Sequence, residues 1–196
     1  MIPPELSMST ITVELTPANT FAAVIVRNDE SKILSRLGHD HVIRATDFKS
    51  LVTINPEALQ DLAFRLTFPV SALIVDADSD RPRVSLSGTV SSRDQRATRD
   101  NMLARGQLHA KKFPEITFQV SGATLEDRHW ILNGSFSVKG TTHHFPFPVE
   151  VTNLDPFTLH GTVQLPHKDL GLTPYKAPMG ALQNREELEF CVRINC

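Results

Sequence analysis

Residues 86–120, LSGTVSSRDQRATRDNMLARGQLHAKKFPEITFQV, decide the fold, because the pattern changes there from strand to helix and back. Ser91 is followed three residues later by Asp94. In this capping-box spacing the serine oxygen accepts a backbone N–H and the acid lies at the positive end of a helix. The spacing predicts a short helix that starts at Ser91 and ends at Gly106. Its apolar residues are few, so we expect a lid with one narrow buried stripe.

After this helix the sequence alternates between apolar and polar residues, which is the period of a half-buried strand. Pro114 keeps Phe113 out of helical geometry, and Ile116, Phe118 and Val120 then share one face. The same period recurs in several further segments, namely 11–16, 62–68, 130–138, 145–151, 157–165 and 188–194. Strands in series with one apolar face each favour an antiparallel meander that closes on itself. We therefore predict an all-β fold, a single antiparallel up-and-down barrel of about eight strands with a short helix across one end.

The length and net charge of the chain limit the number of domains and the classes of partner. The chain has 196 residues, enough for one large domain, which we place at residues 11–196 after a flexible lead-in at residues 1–10. The net charge of −2 is spread without basic clusters, which argues against a nucleic-acid partner. No apolar run has the length of an integral membrane segment. The first residues lack the pattern of a signal peptide, so we expect a cytoplasmic protein, or a periplasmic one if the true start differs.

Three motifs in order carry a resemblance to a known family. Arg99-Asp100 with Leu103 lies on the predicted helix, Lys112-Phe113-Pro114 precedes the strand that contains Phe118, and residues 134–141 have a G-x-h-x-h-x-G-x-T hairpin pattern. Over roughly residues 11–195 the chain resembles the YceI-like family. The chain differs from many relatives in its segment from Leu37 to His41 and in an extra loop from Ser79 to Ser91.

The resemblance implies a lipocalin-like, extended eight-stranded barrel that binds a long-chain amphiphilic lipid. In this family the ligand is an isoprenoid, an isoprenoid quinone or a fatty-acid derivative inside the barrel, and homodimers are common. No catalytic residue and no cofactor other than a bound lipid or quinone is expected. From the strand pattern alone, an interior filled with side chains is the alternative.

Ligand-contact residues follow from the inward faces of the strands and from the helix. The lipid tail is predicted to contact the apolar residues Met102, Phe118, Trp130, Leu132, Phe136, Phe145, Phe147 and Phe157. The head group is predicted to lie near Arg99, His39 and His41. For Arg99 itself, a structural brace that donates hydrogen bonds to carbonyls at the barrel rim is favoured over a direct head-group contact.

The histidines suggest a second function, a metal-dependent or redox protein. In an extended segment His39 and His41 point the same way, about 6.6 Å apart by the rise of a strand, which allows shared metal ligation. His143, His109 or His144 would have to supply a third ligand, and His143 is predicted to face inward. The other interpretation of His39 and His41 is a hydrogen-bonded polar pair at the barrel mouth. The sequence contains no HExxH, no nucleophile elbow and no phosphate loop.

Overall fold

The computed structural model describes residues 10–35, 38–154 and 156–196. Residues 1–9 of the predicted lead-in, and Leu37 of the histidine-containing segment, lie outside these ranges. The strands are β1 Ile11–Leu15, β2 Thr20–Asn28, β3 His41–Ala45, β4 Ser50–Ile54, β5 Ala63–Pro69, β6 Leu73–Val75, β7 Glu115–Glu126, β8 His129–Val138, β9 Thr141–Leu154, β10 Phe157–Pro166 and β11 Asn184–Asn195. The α-helix, α1, spans Ser92–Leu103. Short 3₁₀ turns occur at Leu59–Asp61, Val70–Ala72, Pro82–Val84, His167–Leu170 and Pro178–Gly180.

Nine strands form one antiparallel sheet in the order β5-β7-β8-β9-β10-β11-β2-β3-β6, while β1 and β4 form a separate pair. The two ends of the large sheet, β5 and β6, are joined by the 3₁₀ turn Val70–Ala72. The sheet therefore curls into a nearly closed barrel, which confirms the predicted all-β antiparallel fold with one short helix. It has nine strands rather than about eight, because the segment that bends after Pro69 contributes a strand to each end of the sheet.

Helix α1 begins where the capping pattern predicts. The Ser91 side chain accepts the backbone N–H of Asp94 at 3.2 Å. The helix ends at Leu103, three residues before the predicted Gly106, because Ala104 has extended dihedral angles. The carbonyls of Met102 and Leu103 instead accept N–H groups from Leu108 and Ala110 in the following turns. None of the helix residues is fully buried, as expected for a lid.

A second, smaller apolar cluster lies on the outer side of the sheet. Val84 and Leu86 from the loop after β6 pack over Phe21 and Ile25 of β2, together with Val42 and Cys191. Strand β2 is consequently covered on both faces, inside by the main core and outside by this loop. The extra loop noted in the sequence thus has a structural role, since it covers apolar side chains of β2, β3 and β11.

One glycine permits the tight packing of neighbouring strands. A Cβ atom at Gly161 of β10 would lie 2.5 Å from the carbonyl oxygen of Pro148 and 2.9 Å from the Phe147 ring. Neither the backbone of β9 nor the buried ring can withdraw without moving the wall of the barrel. Only glycine therefore allows β9 and β10 to approach this closely.

Candidate functional site

The barrel contains a partly open cavity of about 480 Å³. Its wall is mostly apolar and comes from β2, β3, β5, β6, β7, β8, β9 and β11, with one face of α1 over it. The apolar residues that line it include Val24, Val26, Ile43, Leu66, Leu73, Ile116, Phe118, Phe136, Val138, Phe147, Leu188, Phe190 and Val192. The helix residues that line it are Asp94, Ala97, Thr98, Asn101 and Met102, which recur at the spacing of a single helix face.

Six of the predicted ligand-contact residues line this cavity: His39, His41, Met102, Phe118, Phe136 and Phe147. Phe118 and Phe136 are in ring contact, with centroids 5.1 Å apart. Together with Phe190, whose centroid lies 4.7 Å from that of Phe136, they form an aromatic section of the wall.

The remaining predicted contacts lie elsewhere in the barrel. Leu132 and Phe157 are fully buried in the core without lining the cavity, and Phe145 stacks behind Phe136 with centroids 5.2 Å apart. Trp130 is half-buried and packs against the same core. Leu132 and Trp130 precede Phe136 on β8, so they lie towards the end of the barrel that side chains fill.

Arg99 donates a hydrogen bond to the Ser71 carbonyl oxygen at 2.8 Å and does not line the cavity. This contact ties α1 to the 3₁₀ turn between β5 and β6. It is the brace that the sequence offered as the alternative to a head-group contact. Arg99 therefore links α1 to the turn that joins β5 and β6, the two edge strands of the sheet.

At the mouth of the cavity, a buried carboxylate fixes the orientation of His41. Its Nδ1 lies 2.6 Å from Oδ2 of Asp76, a residue with no exposed surface. The other carboxylate oxygen of Asp76 accepts the Val42 N–H at 3.0 Å and an Nη1 hydrogen of Arg81 at 2.8 Å. Arg81 donates its remaining hydrogen bonds to the carbonyls of residues 40, 87 and 88.

This network keeps Asp76 ionised. Burial by itself would raise the pKa of Asp76, but the hydrogen bonds from His41, Val42 and Arg81 outweigh it, so the pKa lies below its ordinary value. Because the carboxylate is acceptor-only, Nδ1 of His41 must carry the proton that they share. In the neutral ring, Nε2 then has a free lone pair.

The histidines do not converge on a metal. The rings of His39 and His41 are neighbours, with centroids 6.4 Å apart, but His109 packs against Phe113 instead. His143 and His144 border a separate cavity of about 210 Å³. Within the described parts of the chain, no three His, Cys, Asp or Glu side chains lie close enough to hold a metal ion.

Four polar residues of the site were not predicted from the sequence. Asp76 was not singled out, and Arg81 falls in the loop from Ser79 to Ser91, although both side chains are buried. Asn28 and His167 line the cavity, and their side chains are 7% and 4% exposed. The position of Asn28 at the end of an apolar strand is a weak indication that its side chain points inward. The positions of Asp76, Arg81 and His167 depend on contacts between segments that are far apart in the sequence.

A nearly closed antiparallel barrel with an apolar cavity under a helix defines this chain as a lipocalin-like β-barrel protein. The sequence profile of the YceI-like domain matches residues 25–194, so the chain belongs to the YceI-like family. No curated protein sequence matches it. In the described residues, no helix has the length and apolar character to span a membrane.

Solved structures show the same fold at low sequence identity. BcnA from Burkholderia cenocepacia has a TM-score of 0.65 at 12% identity, over 90% of this chain and 96% of BcnA. A YceI protein from Campylobacter jejuni has a TM-score of 0.53 at 11% identity, over 79% and 84% of the two chains. A polyisoprenoid binding domain from Saccharophagus degradans, implicated in plant cell wall breakdown, has a TM-score of 0.52 at 9% identity, over 96% and 100%.

Proposed function

We propose that this protein binds one long-chain amphiphilic lipid, an isoprenoid, isoprenoid quinone or fatty-acid derivative, with its tail in the barrel cavity. The observation that carries the proposal is the apolar cavity of about 480 Å³, enclosed by β-strands and covered by α1. Membership of the YceI-like family and the fold shared with a polyisoprenoid binding domain support it.

The cavity suits a flexible apolar chain better than a compact polar molecule. Contacts with Phe118, Phe136 and Phe190 offer ring faces and edges rather than hydrogen bonds. Each methylene group transferred from water into such a wall contributes about 0.8 kcal/mol. Binding strength should therefore rise with tail length until the cavity is full, and head-group contacts should add selectivity.

We propose a binding rather than a catalytic role. The side chain of Cys191 packs in the outer apolar cluster, and burial raises the pKa of its thiol, which makes this thiol a weak nucleophile. The His41–Asp76 pair resembles the base and orienting acid of a hydrolase, but a nucleophile beside it is not found among the described lining residues. The pair therefore fits hydrogen bonding to a ligand better than proton transfer.

The proposal is tested by titrating delipidated protein with geraniol, farnesol and geranylgeraniol in a calorimeter. We expect the affinity to increase at least about tenfold for each added isoprene unit, with a negative heat-capacity change, until the cavity is filled. Circular dichroism before and after delipidation controls for loss of the fold. Failure of all three alcohols to bind a folded protein would contradict the proposed function.

A further inference from the structure

The polar atoms that face the cavity allow the head group of the ligand to be specified. His167 follows β10 at the same end of the barrel as α1. Its Nδ1 lies 2.7 Å from the backbone carbonyl oxygen of Glu186. A carbonyl oxygen only accepts hydrogen bonds, so Nδ1 of His167 must carry a proton. In the neutral ring, Nε2 of this buried histidine is then an acceptor.

His41 has the same arrangement at the start of β3, which lies on the same side of the barrel because β10, β11, β2 and β3 are neighbours in the sheet. Its Nδ1 is engaged by the Asp76 carboxylate at 2.6 Å, and Nε2 has no partner among the described residues. Two lining imidazoles are thus fixed through Nδ1 by acceptors that cannot donate. Both leave Nε2 as the nitrogen available to a ligand, and in each neutral ring that nitrogen accepts a hydrogen bond.

Asn28, which lines the cavity, adds a third acceptor that is buried in the wall. Its Nδ2 donates to the Ser35 carbonyl oxygen at 2.6 Å, which fixes the orientation of the amide. Its Oδ1 is buried and has no hydrogen-bond partner in the described part of the chain. A Cβ atom at Gly38 would lie 2.9 Å from this oxygen and 2.6 Å from Cδ1 of Leu182, so only glycine can pack this closely against the amide. A buried acceptor without a partner is unfavourable until water or a ligand supplies a donor.

Positive charge is missing where an anionic head group would need it. None of the described residues that line the cavity is a lysine or an arginine, and Asp94 is among them. The nearest buried guanidinium, that of Arg81, is fully engaged by Asp76 and by backbone carbonyls beneath the wall. Phosphate and carboxylate groups would therefore meet acceptors and a like charge.

We propose that the head group is neutral and donates hydrogen bonds, as the hydroxyl of a long-chain alcohol or of a quinol does. Where both imidazoles are neutral, phosphate, diphosphate and carboxylate heads on the same tail bind more weakly than the alcohol. This inference rests on the proposed function, because it assigns the polar end of the lipid whose tail fills the cavity. It also gives a role to His41 and His167, which differs from metal ligation.

The wild-type protein can test this inference without any substitution. Delipidated protein is loaded with radiolabelled geranylgeraniol at pH 8, where free imidazole is neutral. The competitors are geranylgeranyl diphosphate, geranylgeranoic acid and the hydrocarbon with the same tail. We expect unlabelled geranylgeraniol to compete about tenfold better than the hydrocarbon, and at least tenfold better than either anion.

Each other result has a defined meaning. Equal or better competition by the diphosphate or the acid would overturn the inference. Equal competition by the hydrocarbon would also overturn it, while leaving tail binding and the proposed function in place. If the folded protein binds none of these lipids, the proposed function itself fails.

Two substitutions test whether the preference for the alcohol depends on His41 and His167. In His41→Phe and His167→Phe we expect the preference for the alcohol over the hydrocarbon to fall from about tenfold to about two- to threefold, with hydrocarbon affinity retained. His144→Phe, an exposed histidine on β9, is the matched control and should keep the preference. The ratio of two affinities in one variant does not depend on its stability. An unchanged ratio in both folded variants would overturn the assignment.

Discussion

Substitution of Ala45 by leucine tests whether the barrel interior is open. Ala45 lies on the inner face of β3, is buried and lines the cavity. Leucine adds three carbon atoms, which in an open cavity occupy space that the lipid tail would otherwise fill. At about 0.8 kcal/mol for each methylene group, the tail loses about 2.4 kcal/mol, or about 60-fold in affinity.

Two assays on Ala45→Leu separate an open cavity from a packed interior. Calorimetry with the three isoprenols should show weaker binding of geranylgeraniol and a shift of preference towards the shorter alcohols. Urea unfolding of the delipidated variant should show unchanged or increased stability, because the new side chain enters empty space. Ala63→Leu, on the exposed outer face of β5, is the matched control and should change neither result.

The opposite pattern would refute the reasoning. In a tightly packed interior, the added carbons force neighbouring side chains out of place and cost about 1–3 kcal/mol of stability. A destabilised Ala45→Leu protein that binds geranylgeraniol like the wild type would show that this wall does not face the ligand.

Three further substitutions test the scaffold by urea or thermal unfolding. Gly161→Ala should cost about 1–3 kcal/mol because its Cβ would meet the backbone of β9, whereas Gly106→Ala, with no heavy atom within 4 Å of the added Cβ, should be neutral; equal stability of the two would contradict this packing. Asp76→Asn should cost about 3–5 kcal/mol because it leaves a buried guanidinium without its carboxylate, and the exposed Asp78→Asn should cost little. Because the pKa of Asp76 is lowered on folding, its contribution to stability is complete above about pH 4 and is lost as the pH falls through the lowered pKa. Asp76→Asn should therefore reduce the dependence of the unfolding free energy on pH in the acid range. An unchanged dependence on pH would argue against the lowered pKa. Ser91→Ala should cost about 1 kcal/mol by removing the cap of α1, and a melting temperature within error of the wild type would mean that the cap contributes nothing.

The sequence predicts the barrel because the evidence for it is local. Alternation of apolar and polar residues identifies a strand without knowledge of its partners, and the Ser91 cap identifies the start of α1 in the same way. The direction in which a strand side chain points also follows from the local alternation. Phe118, Phe136 and Phe147 were therefore predicted on the side of the sheet that faces the cavity. Strand number was less accurate because the effect of Pro69 depends on how the two edges of the sheet meet.

Depth along the barrel and long-range polar contacts could not be predicted. Leu132 and Phe136 have the same inward pattern on β8, but only Phe136 lies at the open part of the interior. The alternation of apolar and polar residues along β8 does not indicate how far the cavity extends along the strand. The partner of His41 lies 35 residues away, and pairing of β3 with β6 is what brings Asp76 beside it.

The central claim is that the barrel holds a lipid, and native mass spectrometry of untagged protein tests it most directly. Ions of the protein as purified should carry one discrete added mass, and solvent extraction should release a long-chain neutral lipid of that mass. A protein that has only the mass of its chain, and that stays bare after incubation with geranylgeraniol, would contradict the claim.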